Sequence, residues 1–237
     1  FKGDLATSGR HQRRIPCSGL RREDHLWLQS QWKRNAVGVL EPELQRLIDL
    51  SFLWDLTGVS RDQPATRQEG RFLGWTRPLV TAGRRYCGTR LHRPFEDCDG
   101  EVKRFLLANN CERLHQTVRR IETHIVNELI QDGFRHLVGV DALVHRDAQG
   151  ELAIHPCVEV NPRCTMGHVA LALRKFVAPA TTAEFRIYSI AEWKQIPHRE
   201  AAGQMEKSAD GRWRQGLLGL TEVTDQTLLV PAIHVHR

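Results

Sequence analysis

The most regular apolar spacing in the chain is Leu114, Val118, Ile121, Ile125 and Leu129, which predicts a helix over 111–131 with one buried stripe. Asp132-Gly133 follows as a C-terminal stop, because glycine readily takes the left-handed conformation that closes a helix. A second helical pattern covers 21–34, with Leu28 and Trp32 four apart and Leu26 and Trp27 near the same side. Val37–Leu40 and Asp49–Leu56 read as apolar strands, the latter closed by Thr57-Gly58. Residues 60–100 lose periodicity among Gly, Arg and Pro and predict loops with short strands near Phe72, Trp75, Leu79 and Val80. Beyond 167 the pattern predicts a short helix over 168–176, strands at 184–190 and 217–236, and a turn at Asp210-Gly211.

The centre of the chain reads as a hairpin that carries chemistry. Leu137–Val144 is an apolar strand with a single acid, Asp141; Asp147-Ala148-Gln149-Gly150 is a turn, and 152–161 returns antiparallel. An acid in an apolar strand needs a cation or strong donors. The returning strand ends in Val158-Glu159-Val160-Asn161-Pro162-Arg163-Cys164-Thr165-Met166-Gly167, which puts a carboxylate, an amide and a guanidinium at alternate positions. In an extended segment Glu159, Asn161 and Arg163 would share a face, with Val158 and Val160 turned to the core. Carboxylate and amide oxygens are hard ligands of the kind Mg²⁺ accepts, and the arginine fork suits phosphate or carboxylate. A tight turn between Ala148 and Gln149 would pair Asp141 with Pro156, three residues short of Glu159. The two acids can therefore meet only if residues around His155-Pro156-Cys157 form a bulge.

Charge and cysteine usage narrow the alternatives. The 237 residues carry a net charge of +6 with a pI near 9.2, which suits anionic partners. The chain has no C₂H₂ spacing, RNP-like strand or basic heptad region, so nucleic acid is the weaker partner class. Six cysteines form no CxxC pair, and no HExxH occurs, which argues against zinc and for a reduced, cytoplasmic setting. No apolar run reaches the roughly 20 residues of a membrane span. The stretch Lys2-Gly3-Asp4-Leu5-Ala6-Thr7-Ser8-Gly9-Arg10 reads as a small, polar loop whose backbone amides, hydroxyls and Arg10 could fold over phosphates. The chain does not begin with Met and Lys2 stands almost at its start, so it reads as a fragment or a product that has lost its front.

Three motifs in order resemble the ATP-grasp superfamily, which includes biotin carboxylase and D-alanine–D-alanine ligase. Lys2 followed by Thr7, Ser8, Gly9 and Arg10 resembles the phosphate-binding lysine and its glycine-rich loop. Leu40-Glu41-Pro42-Glu43-Leu44 resembles the adenine-binding hinge, with Glu41, Pro42 and Leu44 at the nucleotide. Asp141, Glu159 and Asn161 resemble the magnesium set, and Arg163 the arginine that meets phosphate or the activated intermediate. The resemblance spans residues 1–178 and implies an α+β fold, two subdomains clasping ATP, with 179–237 a β-rich C-terminal extension packed on it. It implies Mg²⁺ (or Mn²⁺) and ATP as cofactors, small-molecule carboxylate and nucleophile substrates, and an acyl phosphate attacked by an amine or similar group. Catalysis would rest on Lys2 and Arg163. Homo-oligomerisation is left open, and no membrane partner is implied. His11 stands where many members have glycine, and the family's upstream lysine and preceding domain have no counterpart here. The alternatives are a non-catalytic nucleotide-binding remnant and, behind it, a basic nucleic-acid-binding module.

Overall fold

The computed structural model describes residues 2–3, 13–16, 18–33, 38–59, 70–83, 85–179, 181–196, 203, 205–224 and 227–236. The chain divides into two compact units, Phe1–Gln45 with Val80–Tyr86, and Arg46–Leu79 with Cys87–Arg237.

In the first unit, β1 (Lys2–Gly3) pairs antiparallel with β2 (Gly38–Val39), Lys2 opposite Val39. Between them lies α1 (Arg22–Trp32). Its buried positions are Asp24, Leu28 and Gln31, whereas Leu26 and Trp32 are exposed, so the apolar side expected from the sequence is rotated outward. Asp24 determines the rotation. Its carboxylate accepts from the Arg21 amide at 2.9 Å, capping the helix start, and from Arg13 Nε at 2.5 Å. Those two donors hold the Asp24 carboxyl below its ordinary value, the backbone bond being the stronger cause.

The second unit is organised on a nine-stranded sheet in the order β7-β6-β3-β4-β5-β8-β11-β10-β9. Its strands are β3 (Gln45–Asp55), β4 (Arg71–Val80), β5 (Tyr86–His92), β6 (Leu137–Arg146), β7 (Leu152–Asn161), β8 (Thr182–Ser189), β9 (Met205–Lys207), β10 (Trp213–Gly219) and β11 (Leu229–His236). The pairs β3–β4, β5–β8, β6–β7, β8–β11, β10–β11 and β9–β10 are antiparallel. The tract from 71 to 92, expected as loops with short strands, instead forms the full-length central strands β4 and β5. Their polar, Gly- and Pro-bearing sequences lack a period of two because neighbouring strands and both layers of helices supply the burial.

On one face lies α2 (Gly100–Ile121), continued by a π-helical turn (Glu122–Val126) and α3 (Asn127–Gln131). They pack on Leu50, Phe52 and Trp54 of β3 and Val138, Val140 and Val144 of β6 to form the largest core. The stripe follows the sequence through Leu114, Val118 and Ile121, then moves to Val126 and Ile130. Ile125 and Leu129 are only partly buried. The π turn inserts one extra residue into the helical repeat and so advances the stripe by one position. Trp54 Nε1 donates to Glu122 Oε1 at 3.2 Å, where that turn begins.

The other face of β3 presents Asp49, Ser51 and Leu53, and there α4 (Met166–Arg174) lies against the sheet. A Cβ on Gly167 would sit 3.1 Å from both Leu53 Cδ1 and Thr76 Oγ1, and one on Gly139 would sit 3.1 Å from Thr165 Cγ2. Helix start and sheet thus meet through two missing side chains. Farther along, Ala170 packs with Leu91, Phe185, Ile233 and Val235, while α5 (Ile190–Gln195) places Trp193 against Val230 and Ala232. Strand β11 therefore buries both faces. Among the described residues no helix is long and apolar enough to cross a membrane.

Replacing Gly88 by Ala is expected to lower folding stability by about 1–3 kcal/mol, since the added Cβ would stand 2.3 Å from the Phe185 carbonyl oxygen of the paired strand β8. Gly58→Ala, where nothing lies within 4 Å of the built Cβ, should stay within about 0.5 kcal/mol of the parent. Urea unfolding of the two variants measures the difference.

Candidate functional site

The β6–β7 hairpin brings the two predicted acids together. Near the turn, Leu143 pairs with His155 and Arg146 with Leu152; beyond an irregularity, Asp141 pairs directly with Glu159 and Gly139 with Asn161. Two extra residues of β7 are taken up opposite Ala142, in the Pro156-Cys157-Val158 stretch where proline already withholds a ladder donor. The bulge also changes which side chains face inward. Val160 packs against the large core as the alternation predicts, but Cys157 rather than Val158 joins it there.

Asp141 and Asn161 are linked across the strand pair, with Asn161 Nδ2 donating to Asp141 Oδ2 at 3.0 Å. Arg163 Nη2 donates to Asn161 Oδ1 at 2.9 Å, so one amide joins a guanidinium to a carboxylate. The strand ends at Asn161, and the Arg163 amide turns back onto the Asn161 carbonyl at 2.8 Å, keeping the arginine beside the cluster. Ser51 on β3 gives Asp141 a further hydrogen bond. Burial pushes the Asp141 carboxyl above its ordinary 3.8; the Ser51 and Asn161 bonds pull it down, while the charges of Glu159 and Asp49 push it up. Asp49 pairs with Arg46 at the edge of the cluster.

Helix α4 begins beside this cluster. Its N-cap Thr165 takes part in a capping box closed by His168 instead of the usual Glu or Gln. The Thr165 amide donates to His168 Nδ1 at 3.1 Å, so the ring's proton sits on Nε2, which faces the Trp54 carbonyl at 3.4 Å. Burial holds His168 below its ordinary 6.5, which keeps the ring neutral and this arrangement intact.

Of the other sequence-derived positions, Lys2, Glu41, Pro42 and Leu44 belong to the first unit. Lys2 lies in β1, and Thr7, Ser8, Gly9 and Arg10 lie outside the described residues. Glu41 and Pro42 are exposed and Leu44 is half-buried in the irregular segment just before β3. Asp141, Glu159, Asn161 and Arg163 are gathered at one place. Asp49 and Ser51 join the cluster although the sequence marks Asp49–Leu56 only as an apolar strand. Their signal was present as alternation, two polar residues interleaved with Leu50 and Phe52. Among the described residues, no group of three or more His, Cys, Asp and Glu is arranged to hold a metal. What is assembled is a pair of opposed acids with an amide and a serine hydroxyl, a hard-oxygen donor set with an excess of negative charge.

No family model matches the chain, and no curated protein matches it. Among solved structures, it is similar to N5-carboxyaminoimidazole synthetase from Staphylococcus aureus complexed with ADP, at 12% identity and a TM-score of 0.41. The match covers 83% of this chain and 48% of that one, so the chain spans about half the length of that synthetase.

A carboxyl whose folded value lies above its unfolded value is stabilising when protonated, and that contribution is lost as pH rises through the folded value. At pH 7 Asp141 is thus a source of instability. Asp141→Asn, which keeps the shape and removes the charge, is expected to raise Tm at pH 7 by about 2–4 °C for each kcal/mol relieved. The gain should shrink as pH falls toward 4, and melting curves across that range measure it.

Proposed function

We propose that this chain is the nucleotide- and metal-binding part of an ATP-dependent ligase of the ATP-grasp kind, one that activates a carboxylate as an acyl phosphate for attack by an amine or other nucleophile. The observation that carries the reading is the direct pairing of Asp141 with Glu159, obtained through a bulge, with Asn161 bonded between Asp141 and Arg163. Like charges placed directly opposite each other in a sheet are unfavourable, and a divalent cation would reverse the sign of that term.

The donor set suits Mg²⁺ or Mn²⁺: carboxylate oxygens from Asp141 and Glu159 and the amide oxygen of Asn161. When bound, such an ion supplies charge neutralisation at transferring phosphate oxygens. The chain's own residues do the positioning. Asn161 Oδ1 is now occupied by Arg163; if that oxygen turns to a cation, Arg163 is released toward the phosphate or acyl group beside it. Arg163 then acts as a planar, permanently charged clamp. The assignments of Lys2, Thr7, Ser8, Gly9 and Arg10 to the phosphates, and of Glu41, Pro42 and Leu44 to the adenine, rest on the sequence resemblance alone. So does the division into a domain over 1–178 and an extension over 179–237.

The reading predicts ATP binding that depends on Mg²⁺ and is lost in Glu159→Ala, measured by isothermal titration calorimetry; unchanged binding in that variant would remove the metal assignment. Arg163→Ala should retain most of the nucleotide affinity and lose ADP release in the presence of a carboxylate–amine pair. Nucleotide binding with no ADP release from any such pair, for the full-length gene product, would leave the non-catalytic reading.

A further inference from the structure

The structure holds a cleft whose lining includes none of the residues of the carboxylate cluster. Its wall is shared between the α2 side of the sheet, where the Trp75 ring of β4 meets His115 edge-on at 5.5 Å, and Arg174, the last residue of α4. The cleft has a volume of about 480 Å³ and is bounded by Trp75, Phe95 and Leu107, with Arg93, Lys103 and Arg174 as its cations. That volume falls in the range of small-molecule sites.

Its charge is unbalanced. Glu96 also lines the cleft, and Lys103 and Arg93 share it loosely, at 3.5 and 3.9 Å. Arg174 is half-buried and donates Nε to the Leu91 carbonyl at 2.7 Å, which fixes the guanidinium at the end of β5. Among the described residues no carboxylate meets it. Burial alone pushes the Arg174 guanidinium below its ordinary value, with no anion to restore it. A half-buried cation without a counterion carries part of its desolvation cost unrelieved, and a planar fork held by one nitrogen has its remaining donors to offer.

The backbone is also strained here. Among the described residues, the non-glycine positions with left-handed φ are Arg93 (48°), Asn109 (50°), Asn110 (55°) and Cys111 (62°). Arg93 and Cys111 line the cleft, and the three consecutive residues at 109–111 interrupt α2 beside it. Such conformations persist where the surroundings over-determine them and cluster at ligand sites. The break in α2 and the turn at Arg93 give the cleft its shape.

We propose that this cleft binds a small aryl anion, with its carboxylate or phosphate on Arg174 and its ring against Trp75 and Phe95, at a site separate from the Asp141–Glu159 cluster. The apolar wall excludes a bare inorganic ion as the best ligand, and the cations exclude a neutral aromatic.

Calorimetric titration of the full chain with phenylacetate, phenyl phosphate and neutral phenylacetamide tests this. At least one of the two anions should bind saturably, and the amide about tenfold more weakly or worse. The stronger of the two anions identifies the headgroup. Arg174→Gln should weaken binding about tenfold or more, and Lys103→Gln by no more than about fivefold, since Lys103 lies at the exposed rim. Leu107→Trp, at an exposed position of α2 on the rim of the cleft, should fill it and block binding. Glu159→Ala should leave binding unchanged, which separates this site from the proposed nucleotide site. No binding of either anion at millimolar concentration, equal affinity for the amide, or unchanged affinity in Leu107→Trp would overturn the proposal.

Discussion

The second unit depends on one unfavourable contact that the fold goes to some length to create. Asp141 and Glu159 stand opposite each other on paired strands, with Asp49 a third acid nearby. A regular hairpin would not produce this pairing; it takes a two-residue irregularity at Pro156-Cys157-Val158 to bring Glu159 into line. Sheets ordinarily avoid like charges directly opposite. The surrounding structure compensates only in part, with a serine hydroxyl and an amide bonded to Asp141, and its carboxyl remains pushed upward. Relief of that cost is what the proposed cation would supply.

The rest of the sheet supports that contact from both sides. On the α2 face, Leu50, Phe52 and Trp54 are fully buried and hold β3 rigidly, so that Asp49 and Ser51 on its other face are fixed in place. On the α4 face, Gly139 and Gly167 let the helix start descend onto the sheet, and the neutral His168 closes its cap. The same constraint acts on Asn161, which is buried and has one amide to divide between Asp141 and Arg163. Anything that engages its oxygen must change what Arg163 does. The proposed aryl-anion cleft, walled by α2 and by Arg174 at the end of α4, uses none of these residues, so its occupancy can be measured independently.

The sequence by itself determined the elements whose burial is local. The stripe Leu114–Val118–Ile121, the Asp132-Gly133 stop and the alternating polar positions of Glu159 and Asn161 follow from period and chain stiffness, and all are found where the pattern puts them. Tertiary structure decided whatever depends on a neighbour distant in the chain. The strands β4 and β5 have no regular alternation and exist because other strands flank them. The rotation of α1 was decided by Arg13 reaching Asp24, and the shift of the stripe to Val126 and Ile130 by a π turn that no residue type announces. Register was also decided there. Counting from a turn centred between Ala148 and Gln149 misses Glu159 by three residues, one because the hairpin centres on Gln149 and two because of the bulge; a strand records the order of its side chains and leaves open how many a bulge will absorb.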